Sequence, residues 1–387
     1  MGSPKKGYII RTYTGHHQSL LLFTGVILIL FMLAGCGPST EELEAVDYTP
    51  LPGDDWQVST PAEQGLDPML VARLYHNATK LPRLYGLLVV KNGYLVAEDY
   101  FNEGAVDRKN QLQSVTKSYT SALVGVALDQ GCLLSVDQKM IDYFPEFAGH
   151  LDDPRKAQIT LRDMLQMRSG YPNEESDPAL FEALLSGNYL PLIVGFPLTR
   201  DPGTEFQYSG LTSHWLGVIV ARACGIDLKS FAQEHLFSPI GAELGDDWIQ
   251  DMDGYYIGLA GMHVKARDMA KFGLLYLNDG EYKGKQILSA DWVSDSLQRY
   301  TEPARRNNGY FRDVGYGYQW WSGRAGNRYF NYAAGHGGQY IVLLDELDMV
   351  IVASADPFWQ QHDDESWKHE SAVIKLLGSF INSLPGE

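Results

Sequence analysis

The sequence is poor in the residues that mark several protein classes. Its 387 residues include only 3 cysteines, and no Cys/His cluster has metal-ligand spacing, so neither a zinc module nor a disulfide-dense scaffold is expected, and no metal or cofactor is called for. Basic residues are outnumbered, 31 Lys and Arg against 48 Asp and Glu, giving a net charge of −17 that repels phosphate backbones. No basic stripe interleaved with aromatics offsets that field, so nucleic acid is not an expected partner. The 39 glycines and 18 prolines follow no period, which excludes a collagen-like or low-complexity chain. No G-x-S-x-G turn occurs, which disfavours an α/β-hydrolase. What remains is 45% apolar and 20% charged, the composition of a globular enzyme able to bury a large core.

The one long apolar run lies at residues 19–34, after a segment bearing Lys5, Lys6 and Arg11. It is short for a helix that must cross ~30 Å of hydrocarbon, which needs about 20 residues, and it reads as a secretory signal over 1–35. Leu33-Ala34-Gly35-Cys36 resembles the lipobox of bacterial lipoproteins, which implies cleavage before Cys36 and a lipid anchor on that residue. The alternative is an uncleaved membrane anchor, and the long segment before the run speaks for it. Both place the body at the cell envelope, facing the periplasm or the exterior. Gly37 lacks the aspartate associated with inner-membrane retention, which slightly favours the outer membrane. Residues 36–57 are polar and acidic with three prolines, and predict a flexible tether to a domain over 58–387. Cys132 and Cys224 read as buried free thiols in preference to the disulfide that an oxidising compartment would permit.

Leu87 to Val90 and Tyr94 to Tyr100 are β-rich runs separated by Lys91-Asn92-Gly93, a hairpin signal. Gln113 to Gln130 reads as a helix ended by Gly131. From about 131 to 254 helical segments dominate, and strand signals return after Tyr255, clearest in Gln339 to Leu344 paired with Met349 to Ser354. An amphipathic helix over about 367–383 closes the chain. This order predicts an α+β fold: an α/β lobe with an antiparallel sheet built from both ends of the chain, plus an inserted all-helical lobe, with a cleft between them.

Ser114-Val115-Thr116-Lys117 falls at the start of the first long helix, where positions i and i+3 share a face, so a hydroxyl nucleophile would neighbour an amine able to take its proton. The pattern alone is weak, since Ser3-Pro4-Lys5-Lys6 also satisfies it. Two later elements strengthen it. Tyr208 lies on the loop Phe206-Gln207-Tyr208-Ser209-Gly210 before a helix, placed to act as general base and then acid. Gly335-His336-Gly337-Gly338-Gln339 precedes an apolar strand. Its glycines allow close approach of a substrate backbone, the Gln339 N–H can join the Ser114 N–H as an oxyanion hole, and His336 faces the cleft. No acidic residue near His336 in sequence suggests a Ser-His-Asp triad.

These three elements, in this order, resemble the serine β-lactamase and penicillin-binding-protein superfamily. The match is closest to its class C-like branch of esterases, D-stereospecific peptidases and 6-aminohexanoate-dimer hydrolases, and it covers about 60–387. The resemblance implies a β-lactamase/transpeptidase-like fold and a metal-free serine hydrolase working through an acyl-enzyme. Ser114 would be the nucleophile, Lys117 the proton acceptor, Tyr208 the base and acid, and the Ser114 and Gln339 amides the oxyanion hole, with His336-Gly337-Gly338 as the substrate-side triplet. Two positions depart from the pattern. Gly210 stands where many members carry an asparagine that binds substrate and steadies the lysine, and His336 stands where a β-lactamase has lysine. Histidine is largely neutral near pH 7, so an ester, small amide or short peptide suits the site better than a penicillin carboxylate. Tyr316, Tyr318, Trp320 and Trp321 either line an acyl pocket or are packed strand residues. The alternatives are a cell-wall D,D-peptidase or β-lactamase and a non-catalytic peptide-binding lipoprotein. Nothing in the sequence speaks to oligomeric state.

Overall fold

The structure, a computed structural model, describes residues 37–174, 176–301, 309–359 and 363–385. The expected leader and Cys36 lie outside the described residues. The chain forms two units, one ending at Ala45 and one running from Val46. Within the first, helix α1 (Thr40–Glu44) starts with a capping box: the Glu42 N–H donates to Ser39 Oγ, and the Ser39 N–H donates to the Glu42 carboxylate at 2.7 Å.

The second unit is built on a seven-stranded antiparallel sheet. Strands β1 (Leu84–Lys91) and β2 (Tyr94–Tyr100) form the expected hairpin, with Asn92 and Gly93 at φ 52° and 77°, the left-handed pair that a two-residue turn requires. Short strands β3 (Lys109–Gln111) and β4 (His263–Lys265) pair with each other. The main sheet resumes with β5 (Arg312–Tyr316), β6 (Trp321–Ala325), β7 (Arg328–Gly335), β8 (Gln339–Leu344) and β9 (Met349–Ala355), in the spatial order β2-β1-β9-β8-β7-β6-β5. Leu84 lies opposite Ala355, so the two ends of the chain meet in the middle of the sheet.

The central strands are buried on both faces, and their side chains alternate between two cores. Leu88, Val90, Ile341, Leu343, Val350 and Val352 belong to the core shared with the helical region. Leu87, Val89, Val342, Leu344, Met349 and Ile351 belong to the other, covered by α2 (Pro68–Ala78) and the terminal helix α9 (Asp364–Ser383). Helix α7 (Ala266–Leu277) lies close against the first face at Gly273, where a Cβ would stand 2.6 Å from a Val350 methyl.

Between β3 and β4 the described chain is helical or irregular and contains no named strand. The chain leaves the sheet lobe at β3 and returns at β4. This region holds α3 (Thr116–Asp129), α4 (Leu161–Leu165), α5 (Pro178–Leu185) and α6 (Gly210–Cys224); α8 (Ala290–Leu297) follows β4 and α7. Helix α3 is buried all round from Thr116 to Ala127, as a central helix must be.

Two expectations are corrected. Cys132, just beyond α3, and Cys224, the last residue of α6, form a disulfide with Cα atoms 5.1 Å apart, fastening the ends of the two central helices. Sequence spacing could not show that the two helix ends meet. Residues 46–57 are not a free tether. Trp56 is buried in the core, the Leu51 N–H donates to the Glu98 carboxylate, and the Arg267 guanidinium donates to Leu51 O, Asp55 and Glu98. One indole and one arginine hold a segment that has no apolar period to reveal it. Among the described residues no helix is long and apolar enough to cross a membrane.

Candidate active site

Ser114 sits in a 3₁₀ turn (Gln113–Val115) that leads directly into α3. Gln113, immediately before it, has φ 49°, an uncommon conformation for a non-glycine residue, and its side-chain amide donates to Pro357 O at 3.0 Å. The chain is thus turned sharply before the serine and tied there to the end of the sheet lobe. Ser114 remains partly accessible, whereas Lys117, one turn on, is 2% exposed.

Lys117 Nζ donates to Ser114 Oγ at 2.8 Å and to Leu259 O at 3.0 Å, and lies 4.9 Å from the centre of the Tyr208 ring. Its neighbours are therefore a hydroxyl, a carbonyl and a π face. Tyr208 stacks on Trp321 with centroids 5.6 Å apart and meets Tyr316 edge-on at 6.2 Å. Its loop is held from below: the Gln207 N–H donates to Met167 O at 2.7 Å and the Ser209 N–H to Met167 Sδ at 3.3 Å.

A small pocket opens over this pair, about 30 Å³ in volume, lined by Ser114, Tyr208, Trp321, Ala334, Gly335, His336, Trp367 and Glu370. Three expected residues, Ser114, Tyr208 and His336, meet here, with Lys117 directly behind Ser114. Gly335 is where the sheet touches the serine turn, since a Cβ at this position would stand 2.3 Å from Leu112 O. Strand β6 pairs with β7 no further than Tyr332, so Ala333 to Gly335 run past the end of that neighbour and toward the serine.

Other expected positions lie elsewhere. Gln339 pairs opposite Gly335 at the start of β8, fully buried, with its side-chain amide donating to Ala355 O at 2.7 Å. It does not line the pocket, and neither do Gly337 and Gly338, which turn the chain between β7 and β8 at φ 82° and 101°. Tyr318 and Trp320 are core residues. The Tyr318 ring stacks on Tyr300 and its hydroxyl accepts from Arg162, while Trp320 packs on Phe272 and Tyr276. Of the four aromatics considered, Trp321 is the one that lines the pocket, because the chain reverses between Gly317 and Trp320 and turns alternate rings to opposite sides.

The structure also supplies residues that the sequence did not single out. Trp367 and Glu370, one turn apart on α9, close the pocket over His336. The Glu370 carboxylate lies 3.4 Å from His336 Nδ1, and the His336 ring meets Trp367 at 67° with centroids 4.6 Å apart. Only their shared helix face was visible beforehand, and nothing tied that face to His336. Glu174 is another such residue: both of its carboxylate oxygens accept from the Gly210 N–H, at 3.0 and 2.8 Å. Among the described residues no cluster of His, Cys, Asp or Glu is arranged to hold a metal ion.

Comparison with known proteins agrees with this architecture. A Paenarthrobacter ureafaciens protein named 6-aminohexanoate-dimer hydrolase is 29% identical over 344 residues, which cover 82% of this chain and 84% of the relative. Among solved structures, EstCE1, described as a hydrolase with promiscuous acyltransferase activity, superposes with a TM-score of 0.63 at 18% identity, covering 80% of this chain and 97% of its own. The octameric penicillin-binding protein homologue from Pyrococcus abyssi superposes with a TM-score of 0.59 at 19% identity, covering 80% of this chain and 77% of its own. The family model described as Beta-lactamase matches residues 85–367, a span that includes every residue of the pocket except Glu370. The chain belongs to the Beta-lactamase family, with the β-lactamase/transpeptidase-like fold, and its relatives are consistent with a serine hydrolase acting through an acyl-enzyme.

Proposed function

We propose that Ser114 is the nucleophile of this hydrolase and that its substrate is a small ester or linear amide. The observation that carries the assignment is the 2.8 Å contact between Lys117 Nζ and Ser114 Oγ beneath the Tyr208 ring. In the acylation step Ser114 Oγ attacks the substrate carbonyl carbon and its proton passes to the Lys117–Tyr208 pair, which returns it to the departing alcohol or amine. Water then attacks the acyl-enzyme by the same route and frees the acid. The Ser114 N–H is one oxyanion donor. The backbone at Gly335 replaces that of Gln339 as the source of the second, because Gly335 lines the pocket beside Ser114 and Gln339 does not.

Substrate preference follows from His336 and Glu370. A lysine in the triplet would offer a permanent cation to a substrate carboxylate, whereas this pocket holds an imidazole and a carboxylate together. A second anion placed there would meet Glu370, which favours neutral esters and amides over β-lactams. The relative named as a 6-aminohexanoate-dimer hydrolase supports the amide arm of this reading. The Cys132–Cys224 disulfide supports an oxidising compartment, in line with a lipid anchor at Cys36.

The test is covalent labelling. The folded protein is exposed to an alkyl fluorophosphonate and its intact mass measured beside Ser114→Ala. One adduct on the parent and none on the variant is the expected result, to be followed by a screen across short-chain esters, D-peptides, linear amides and β-lactams. No adduct on folded parent protein would overturn the assignment in favour of a binding protein. Penicillin adducts that persist for hours would favour a D,D-peptidase.

A further inference from the structure

Tyr208 stands on backbone whose flanking amides turn toward one neighbouring segment. The N–H groups of Gln207 and Ser209 donate to Met167 O and Sδ, and that of Gly210 donates to both oxygens of Glu174. Gly210 opens α6, a helix of 15 residues. The residue before a helix ordinarily caps it with its own side chain, but the Ser209 hydroxyl makes no hydrogen bond, and no side-chain cap comes from that position. The cap is delivered by Glu174, from the loop between α4 and α5. A carboxylate is well suited to this place, since it answers an otherwise orphaned N–H and the positive end of the helix dipole together.

The same carboxylate fills a volume. A Cβ built on residue 210 would stand 2.3 Å from Glu174 Oε1, so Glu174 and any side chain at 210 compete for one space. The φ of Gly210 is not in the left-handed region, so the backbone itself does not demand glycine. The neighbouring carboxylate does. A glycine two residues after the proton-shuttling tyrosine would otherwise leave this turn free to move.

We infer that Glu174 is a positioning residue for Tyr208, its carboxylate taking the volume of a side chain at position 210 and pinning the amide that fixes the phenol over Ser114 and Lys117. This rests on the role proposed above for Tyr208. Glu174 and Gly210 then form an exchangeable pair, with a polar group supplied either across the loop by residue 174 or in place by residue 210.

The experiment compares fluorophosphonate labelling of the parent, Glu174→Ala, Glu174→Gln, Gly210→Asn and the double variant Glu174→Ala/Gly210→Asn, separating the maximal rate from the half-saturating concentration and recording Tm for each. Glu174→Ala is expected to lower the maximal rate roughly 10- to 100-fold while moving the half-saturating concentration less than about twofold, the signature of a misplaced group. Glu174→Gln keeps an acceptor oxygen and should lose less than about fivefold. Gly210→Asn alone introduces the clash and should be slower than the double variant, which recovers much of the parental rate. The inference is overturned if Glu174→Ala is labelled as fast as the parent, or if its loss vanishes once rates are expressed per folded molecule. It is equally overturned if the double variant is no faster than the product of the single effects predicts. An unlabelled but folded parent would bring down the Ser114 and Tyr208 assignment together with this one, whereas a labelled parent with an indifferent Glu174→Ala brings down this one alone.

Discussion

Two of the histidine–carboxylate pairs among the described residues look alike in chemistry and differ in setting. His214 Nε2 lies 2.9 Å from Asp251 Oδ2, and both side chains are wholly buried in the helical region. The other nitrogen of His214 accepts the Gly258 N–H at 3.4 Å, and Asp251 also accepts the amides of Asp253 and Tyr255. His336 and Glu370 are 3.4 Å apart, line the pocket with Ser114, and come from opposite walls of it. The first pair holds a loop that carries Leu259, the carbonyl partner of Lys117, and works behind the site. The second works at its surface. A histidine beside an acid is therefore not in itself a functional signal; what separates the two is whether the ring faces enclosed protein or an opening.

The sharpest way to break this contrast is to remove each acid. Asp251→Ala strands a buried imidazole and two amides and is expected to cost about 3 kcal/mol of unfolding free energy, read by chemical denaturation. Glu370→Gln keeps the shape of the side chain and should cost less than about 1 kcal/mol by the same measurement. The reverse order would mean that the two roles have been exchanged. In activity the ranking inverts: Glu370→Gln should raise kcat/KM for a carboxylate-bearing ester about tenfold relative to a neutral one, the ratio equivalent to roughly 1.4 kcal/mol. An unchanged ratio would remove Glu370 from substrate choice. The smallest effect is in pH. Burial holds the His214 pKa below its ordinary 6.5, despite the opposing pull of Asp251. The unfolded chain therefore binds a proton that the folded one refuses, and stability is full above about pH 6.5 and falls as the pH drops below it. His214 alone should contribute at most about 1 kcal/mol of loss between pH 7 and 5.5. His263 and His369, also shifted down chiefly by burial, act in the same direction. Stability that rises on acidification through this window would contradict the assignment of His214 as a neutral scaffold residue.

Much of the fold was legible because its signals are local. Asn92-Gly93 turns the hairpin, Leu211 to Ala223 falls within α6, and Gln339 to Leu344 with Met349 to Ser354 gives β8 and β9. Ser114, Lys117, Tyr208 and His336 were legible for another reason, since each belongs to a short motif whose order along the chain is itself information. The partners of those residues were not. Glu370 reaches His336 only because α9 crosses the sheet, and Glu174 reaches Gly210 from 36 residues upstream. The Gln339 side chain lies in the core, opposite Gly335, a fact of pairing that local composition does not contain. Tyr318 and Trp320 show the same limit, since a run of aromatics does not say which rings face inward.

The meeting of β1 with β9 has a consequence for the life of the chain. The serine turn is complete before a third of the protein has been synthesised, yet its opposite wall, β7 and α9, comes from the last stretch to emerge. A partly made or truncated polypeptide carries Ser114 and Lys117 without the opposite wall of the pocket. Pairing over so long a separation is also slow to form. The pocket is thus complete only when the last helix is in place.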